Sequence, residues 1–157
     1  MNISMFKLIK RYFGIEKTER KILNRTFFWL IYAYILVRIV PLRWFSSLLG
    51  EFRVVKEEHD KENGFYLSDS QLKLIRILKR SIRRLKKKLP WKVKCFDEAI
   101  AGKKVLEKYG LKTMLFLGVA KETETNLKAH AWLKYDRVFI TGERGYNNYT
   151  VVGFYSG

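Results

Sequence analysis

A chain of 157 residues that is 48% hydrophobic and 15% aromatic can build one globular core, and it is too apolar for a disordered basic tail. Its 32 Lys and Arg against 15 Asp and Glu leave a net charge of +17, which directs attention to acidic partners. One cysteine, Cys95, excludes an intramolecular disulfide, and with only His59 and His130 beside it a self-contained zinc site is disfavoured.

The N-terminal MNISMFKLIKRYFGIEK has no long apolar stretch before a small-residue cleavage site, so it does not read as a signal peptide. A short basic amphipathic stretch (Phe6, Ile9, Tyr12, Phe13) leads into the apolar run from Phe27 to Val40, which only Arg38 interrupts. A bilayer span needs about 20 mainly apolar residues, and Arg38 falls near the middle of any window that long. The expected element is therefore a helix buried in the fold, or docked on a membrane or a partner. Pro41 can open a further turn and Gly50 can close it, which completes an N-terminal helical region over 1–50. Residues 51–68 are acid-rich and contain Asn63-Gly64, and they read as a linker loop in which His59 is solvated.

Ser68-x-x-Gln71 is a capping-box pattern. Leu72, Ile75, Leu78, Ile82, Leu85 and Leu89 follow at helical spacing up to Pro90. The other faces of this helix, from Lys73 to Lys88, carry Lys and Arg without a single acid. A second helix is expected from Cys95, with Phe96, Ala99, Ile100, Val105 and Leu106 as its apolar face and Gly110 as its C-terminal cap. The hydrophobic period then changes to two, and strands are expected over 113–119, 128–135, 137–141 and 148–155. Helices first and antiparallel strands afterwards define an α+β domain over 69–157.

Two residues in this frame carry chemistry. Cys95 is expected at a helix N-terminus, where the macrodipole, unpaired backbone N–H groups and the neighbouring Lys92 and Lys94 all favour the nucleophilic thiolate. A lone cysteine is more often buried and inert, and a strand histidine such as His130 is more often a packing residue. The pair is more informative, because a nucleophile and its base need only be adjacent in the fold. Glu98 belongs on the polar side of the Cys95 helix, and Tyr149, Phe154 and Tyr155 read as sheet packing.

Cys95-Phe96-x-x-Ala99, Tyr109-Gly110-Leu111, Leu117-Gly118-Val119 and Ala129-His130-Ala131-Trp132-Leu133, in that order, resemble the transglutaminase-like, papain-related domain of the lasso peptide leader peptidases. Pro41-Leu42-Arg43 resembles the N-terminal part of the same family. The resemblance implies a stand-alone cysteine protease that needs no cofactor or metal. Such a protease removes the leader from a ribosomal precursor peptide in the cytoplasm. Its implied partners are the precursor, a small leader-binding protein and an ATP-dependent cyclase that closes the freed core. Carried over by residue, Cys95 is the nucleophile and His130 the general base and acid. The Cys95 N–H is an oxyanion donor, and Trp91 is a candidate second one whose expected role is packing.

The third member of the triad departs from the family, because its acid would fall at Gly142 in this chain. A two-residue turn at Asp136-Arg137 would place Glu143 opposite His130, and Glu143 is the preferred candidate. Asp136, the runner-up, would stand roughly 20 Å away at the hairpin tip. Asn147 or a backbone carbonyl are fallbacks. Competing functions are a transglutaminase-like amidase or acyltransferase, a membrane-bound accessory protein held by Phe27–Val40, and a nucleic-acid-binding module. The last is disfavoured, since no aromatic residue interleaves the basic run.

Overall fold

The computed structural model describes residues 12, 14–54, 67–123 and 126–157. Phe6, Ile9, Phe13, His59 and Asn63-Gly64 lie outside them. Helix α1 (Lys17–Ile39) buries Ile22, Thr26, Leu30 and Ala33 along one face. The Thr26 hydroxyl satisfies itself locally by donating to the Ile22 carbonyl (2.7 Å). After Pro41 the chain forms the short α2 (Leu42–Phe45) and a 3₁₀ turn over Ser46–Leu49, burying Phe45 and Leu49. The first residues of the expected linker are then a strand, β1 (Glu51–Arg53), paired with the end of the chain.

Helix α3 (Asp69–Lys86) opens on the expected capping box: the Gln71 N–H donates to Ser68 Oγ (3.3 Å) and the Ser68 N–H to Gln71 Oε1 (3.0 Å). Its buried face is wider than the sequence stripe, because Ile77 and Ser81 are covered along with Ile75, Leu78 and Ile82. Helices α1 and α4 and strand β4 all pack against α3, which accounts for the extra width. Helix α4 (Cys95–Glu107) ends in a Schellman motif: the Leu111 N–H reaches the Leu106 carbonyl, and Gly110 sits at φ +76°.

Strands β2 (Met114–Lys121), β3 (Leu127–Tyr135), β4 (Val138–Thr141) and β5 (Thr150–Ser156) complete an antiparallel sheet of order β1-β5-β2-β3-β4. Ala131 and Leu133 of β3, Leu115 of β2 and Tyr155 of β5 join the helices in one core with Ile22, Ala33, Leu78, Ile100 and Leu106. The opposite face carries a row of rings, Trp132 stacked on Phe116 at 5.8 Å and Phe116 against Phe154 at 5.4 Å.

One buried group runs against the chain's hydrophobic logic. The Lys103 side chain is fully buried, and its ammonium donates to the Thr113 carbonyl (3.0 Å) and lies 3.6 Å from the Glu107 carboxylate. Burial lowers its pKa from 10.5, with Glu107 opposing that shift. The folded protein therefore releases this proton at a lower pH than the unfolded chain. Below its folded pKa Lys103 is a constant cost, and stability recovers as the pH rises from that value toward 10.5. Glu107 keeps Lys104 as a partner at 2.8 Å when Lys103 is removed. Lys103→Met is expected to be neutral or to stabilise by about 1 kcal/mol at neutral pH and to flatten this alkaline rise. Urea titrations of both proteins over pH measure it.

Candidate active site

Cys95 is the first residue of α4, so its backbone N–H is among the groups a helix leaves unpaired. The thiol is half-buried, free and packed against the edge of the core. Two interactions hold the start of this helix. The Lys94 N–H donates to Asp97 Oδ2 (2.9 Å), which satisfies one orphan donor. Asp97, with no exposed side-chain surface, also meets Arg38 in a two-pronged pair, Nη1 to Oδ1 at 3.2 Å and Nη2 to Oδ2 at 3.3 Å. The guanidinium lies 3.6 Å from the Tyr34 ring centroid and caps the Tyr34 carbonyl at 2.8 Å. Arg38, the residue that argues against a spanning helix, thus ties the end of α1 to the first turn of the cysteine helix.

Trp91 packs against Tyr34 (5.0 Å) and with Leu30, Val93 and Ala101. Its indole N–H is buried without a hydrogen-bond partner among the described residues. The packing role is visible, and a donor remains uncommitted four residues before Cys95. Glu98, in the first turn of α4, pairs with Lys86.

On β3, His130 pairs with Gly118 of β2. Its ring lies 4.9 Å from Tyr149 and 5.8 Å from Trp132. Its Nε2 is 2.8 Å from the Gly142 carbonyl oxygen. A carbonyl only accepts, so Nε2 carries the proton, and Nδ1 of the neutral ring is left as the basic nitrogen. Gly142 is where the resemblance places the acid; here its backbone orients the imidazole.

The hairpin register explains why Glu143 does not. The turn forms as expected, with Tyr135 opposite Val138 and Asp136 at φ +51° on the tip. A bulge then leaves Ile140 without a partner, so that Lys134 faces Phe139 but Leu133 faces Thr141. The bulge lets both Ile140 and Thr141 turn inward, and the expected opposition of Glu143 and His130 is lost. Glu143 is exposed, 3.9 Å from Lys79, and Asn147 is exposed in the 3₁₀ turn Tyr146–Asn148.

Gly142 makes the carbonyl's position possible. It sits at φ +71°, and a Cβ there would fall 2.4 Å from the Ala131 oxygen and 2.7 Å from Trp132 Cβ. Gly142→Ala is therefore expected to cost about 1–3 kcal/mol in stability and to detach the carbonyl from His130. Chemical denaturation reads the first effect, and the imidazole NMR resonances read the second.

Helix α4 lies on the face of the sheet that presents Ala131 and Leu133; a Cβ on Gly102 of α4 would meet Leu133 at 2.9 Å. Strand alternation directs His130 and Trp132 to the other face. Among the described residues no hydrogen bond joins Cys95 to His130, and the sheet lies between the two side chains. On the His130 side an open cleft of about 380 Å³ is lined by Ala120, Lys121, Lys128, Arg144 and Tyr149. Among the described residues no group of three His, Cys, Asp or Glu side chains could hold a metal ion.

A lone cysteine thus opens a helix ahead of an antiparallel sheet that bears a histidine held by the Gly142 carbonyl. Residues 36–153 match the family model of the transglutaminase-like superfamily, and the chain belongs to that superfamily. It includes cysteine proteases and acyltransferase-like enzymes. No curated protein and no solved structure matches the chain.

Proposed function

We propose that this protein is a cysteine endopeptidase that removes the leader from a ribosomally made lasso peptide precursor. Membership of the transglutaminase-like superfamily supports thioester chemistry. The observation that carries the reading furthest is the hydrogen bond from His130 Nε2 to the Gly142 carbonyl, which reserves Nδ1 as a base.

In this account Nδ1 takes the Cys95 thiol proton, and the sulfur attacks the scissile carbonyl carbon. The oxyanion is met by the Cys95 N–H, with the Trp91 indole N–H as the second donor. The C–N bond breaks as the imidazolium gives its proton to the leaving amine, which becomes the N-terminus of the core peptide. His130 then deprotonates water, which hydrolyses the thioester, releases the leader as a carboxylate and restores the thiol. The Gly142 carbonyl supplies orientation without charge, in place of Glu143 or Asp136.

Cys95 and His130 are directed to opposite faces of the sheet in the free protein. The reading therefore requires that binding of the precursor, presented by a small leader-binding protein, bring the start of α4 and the imidazole to one side. The freed amine would pass to an ATP-dependent cyclase in the cytoplasm. Mixing the purified protein with precursor and leader-binding protein, followed by mass spectrometry of the products, tests the reading. The expected products are one leader and one core fragment. Recovery of uncleaved precursor, with the leader-binding protein engaged, would argue against it.

A further inference from the structure

Helix α1 has two apolar faces, and the fold uses one. While Ile22, Thr26, Leu30 and Ala33 are buried, Phe28, Tyr32, Ile35 and Ile39 form a second stripe at helical spacing on the solvent side. Phe28 is 68% exposed and Ile39 74% exposed. Past Pro41, Leu42 and Trp44 are also exposed, Trp44 at 70%. Exposed Lys17 and Lys21 continue the same side toward the start of α1, and past its end exposed Arg43 lies within 6.0 Å of the Trp44 ring centroid. Contiguous exposed apolar surface of this kind marks an interaction site.

We infer that this stripe is a docking surface for an anionic lipid membrane, with α1 lying in the plane of the interface. Three observations select that occupant. The net charge of +17 is complementary to an anionic surface, and it sets a second copy of the chain against its own repulsion. The exposed side chains are the aromatic and branched apolar types that seat at the boundary of headgroups and acyl chains, with lysine and arginine at the ends of the stripe. The helix is long and apolar enough to cross a bilayer by composition alone, yet its other face is committed to the core and Arg38 is committed to Asp97. It therefore lies on the membrane and does not span it.

This inference is independent of the protease reading and needs no substrate to test. Trp44 is the reporter, since Trp132 is buried and Trp29 and Trp91 are half-buried. Vesicles of equal parts phosphatidylglycerol and phosphatidylcholine should shift Trp44 emission to the blue and sediment the full-length protein. Affinity should be at least about tenfold higher than for phosphatidylcholine alone, and it should fall as salt is added. Replacing Ile35 and Ile39 together by aspartate is expected to weaken binding about tenfold or more with the far-ultraviolet circular dichroism unchanged. Trp44→Ser, at an exposed position outside the core, provides a second variant and should weaken sedimentation in the same direction.

No binding to anionic vesicles at low salt would overturn the inference. So would binding that all these substitutions leave intact. A stable dimer in sedimentation that Ile35→Asp dissociates would overturn it in favour of a second copy, and an acidic protein that competes only with wild type, in the absence of vesicle binding, would do so in favour of that protein.

Discussion

Replacing Cys95 by alanine is expected to lower leader removal by on the order of 10⁴-fold or more, and His130→Ala by a similar factor, each without a large change in stability. The residues of such a unit act together, so the double variant should be scarcely slower than either single one. Neither side chain belongs to the buried core; Cys95 is half-buried at its edge and His130 lies on the ring-bearing face. Glu143→Gln and Asp136→Asn should each leave the rate within a few-fold of wild type, since neither carboxylate orients the imidazole in this account. A loss comparable to that of His130→Ala in either carboxylate variant would show that the sheet rearranges to bring that acid to the ring.

The largest expected effect on stability lies at the tie between α1 and α4. Arg38→Ala leaves the Asp97 carboxylate buried without its counter-charge, which is expected to cost about 3 kcal/mol; breaking buried pairs typically costs 3–5 kcal/mol. The lower end applies because the Arg38 side chain keeps 29% of its surface exposed. Asp97→Asn retains an acceptor for the Lys94 N–H and removes the buried charge, so it should cost less than Arg38→Ala. Urea denaturation followed by circular dichroism measures both. If Arg38→Ala falls within a few tenths of a kcal/mol of wild type, the pair is not what fixes the start of the cysteine helix.

Several elements were legible in the sequence because local rules decided them. The Ser68-Gln71 capping box, the start of α4 at Cys95, its Gly110 cap and the Tyr135-Val138 turn each depend on a few neighbouring residues. What escaped depends on tertiary packing. The Ile140 bulge has no local signal; it arises because two successive residues turn inward, and it moves Glu143 out of register. The Gly142 carbonyl is a main-chain group, so no side chain advertises it, although a glycine at the family's acid position was a usable hint. The Arg38-Asp97 pair joins residues 59 apart. A lone arginine inside an apolar run points to a buried partner, but it does not say which one. The charge of +17 is also resolved in part: on α3, Arg80 and Arg84 meet Glu19 of α1, and Lys79 donates to the Phe139 carbonyl. Much of the basic helix therefore serves the protein's own packing.

In the proposed mechanism cleavage passes through a thioester on Cys95. Intact-mass spectrometry of the protein, quenched in acid during turnover with precursor and leader-binding protein, tests it most directly. A transient adduct equal to the leader minus one water is expected, mapping to Cys95 and absent from Cys95→Ala. Leader removal that continues at the wild-type rate after Cys95 has been fully alkylated would contradict it.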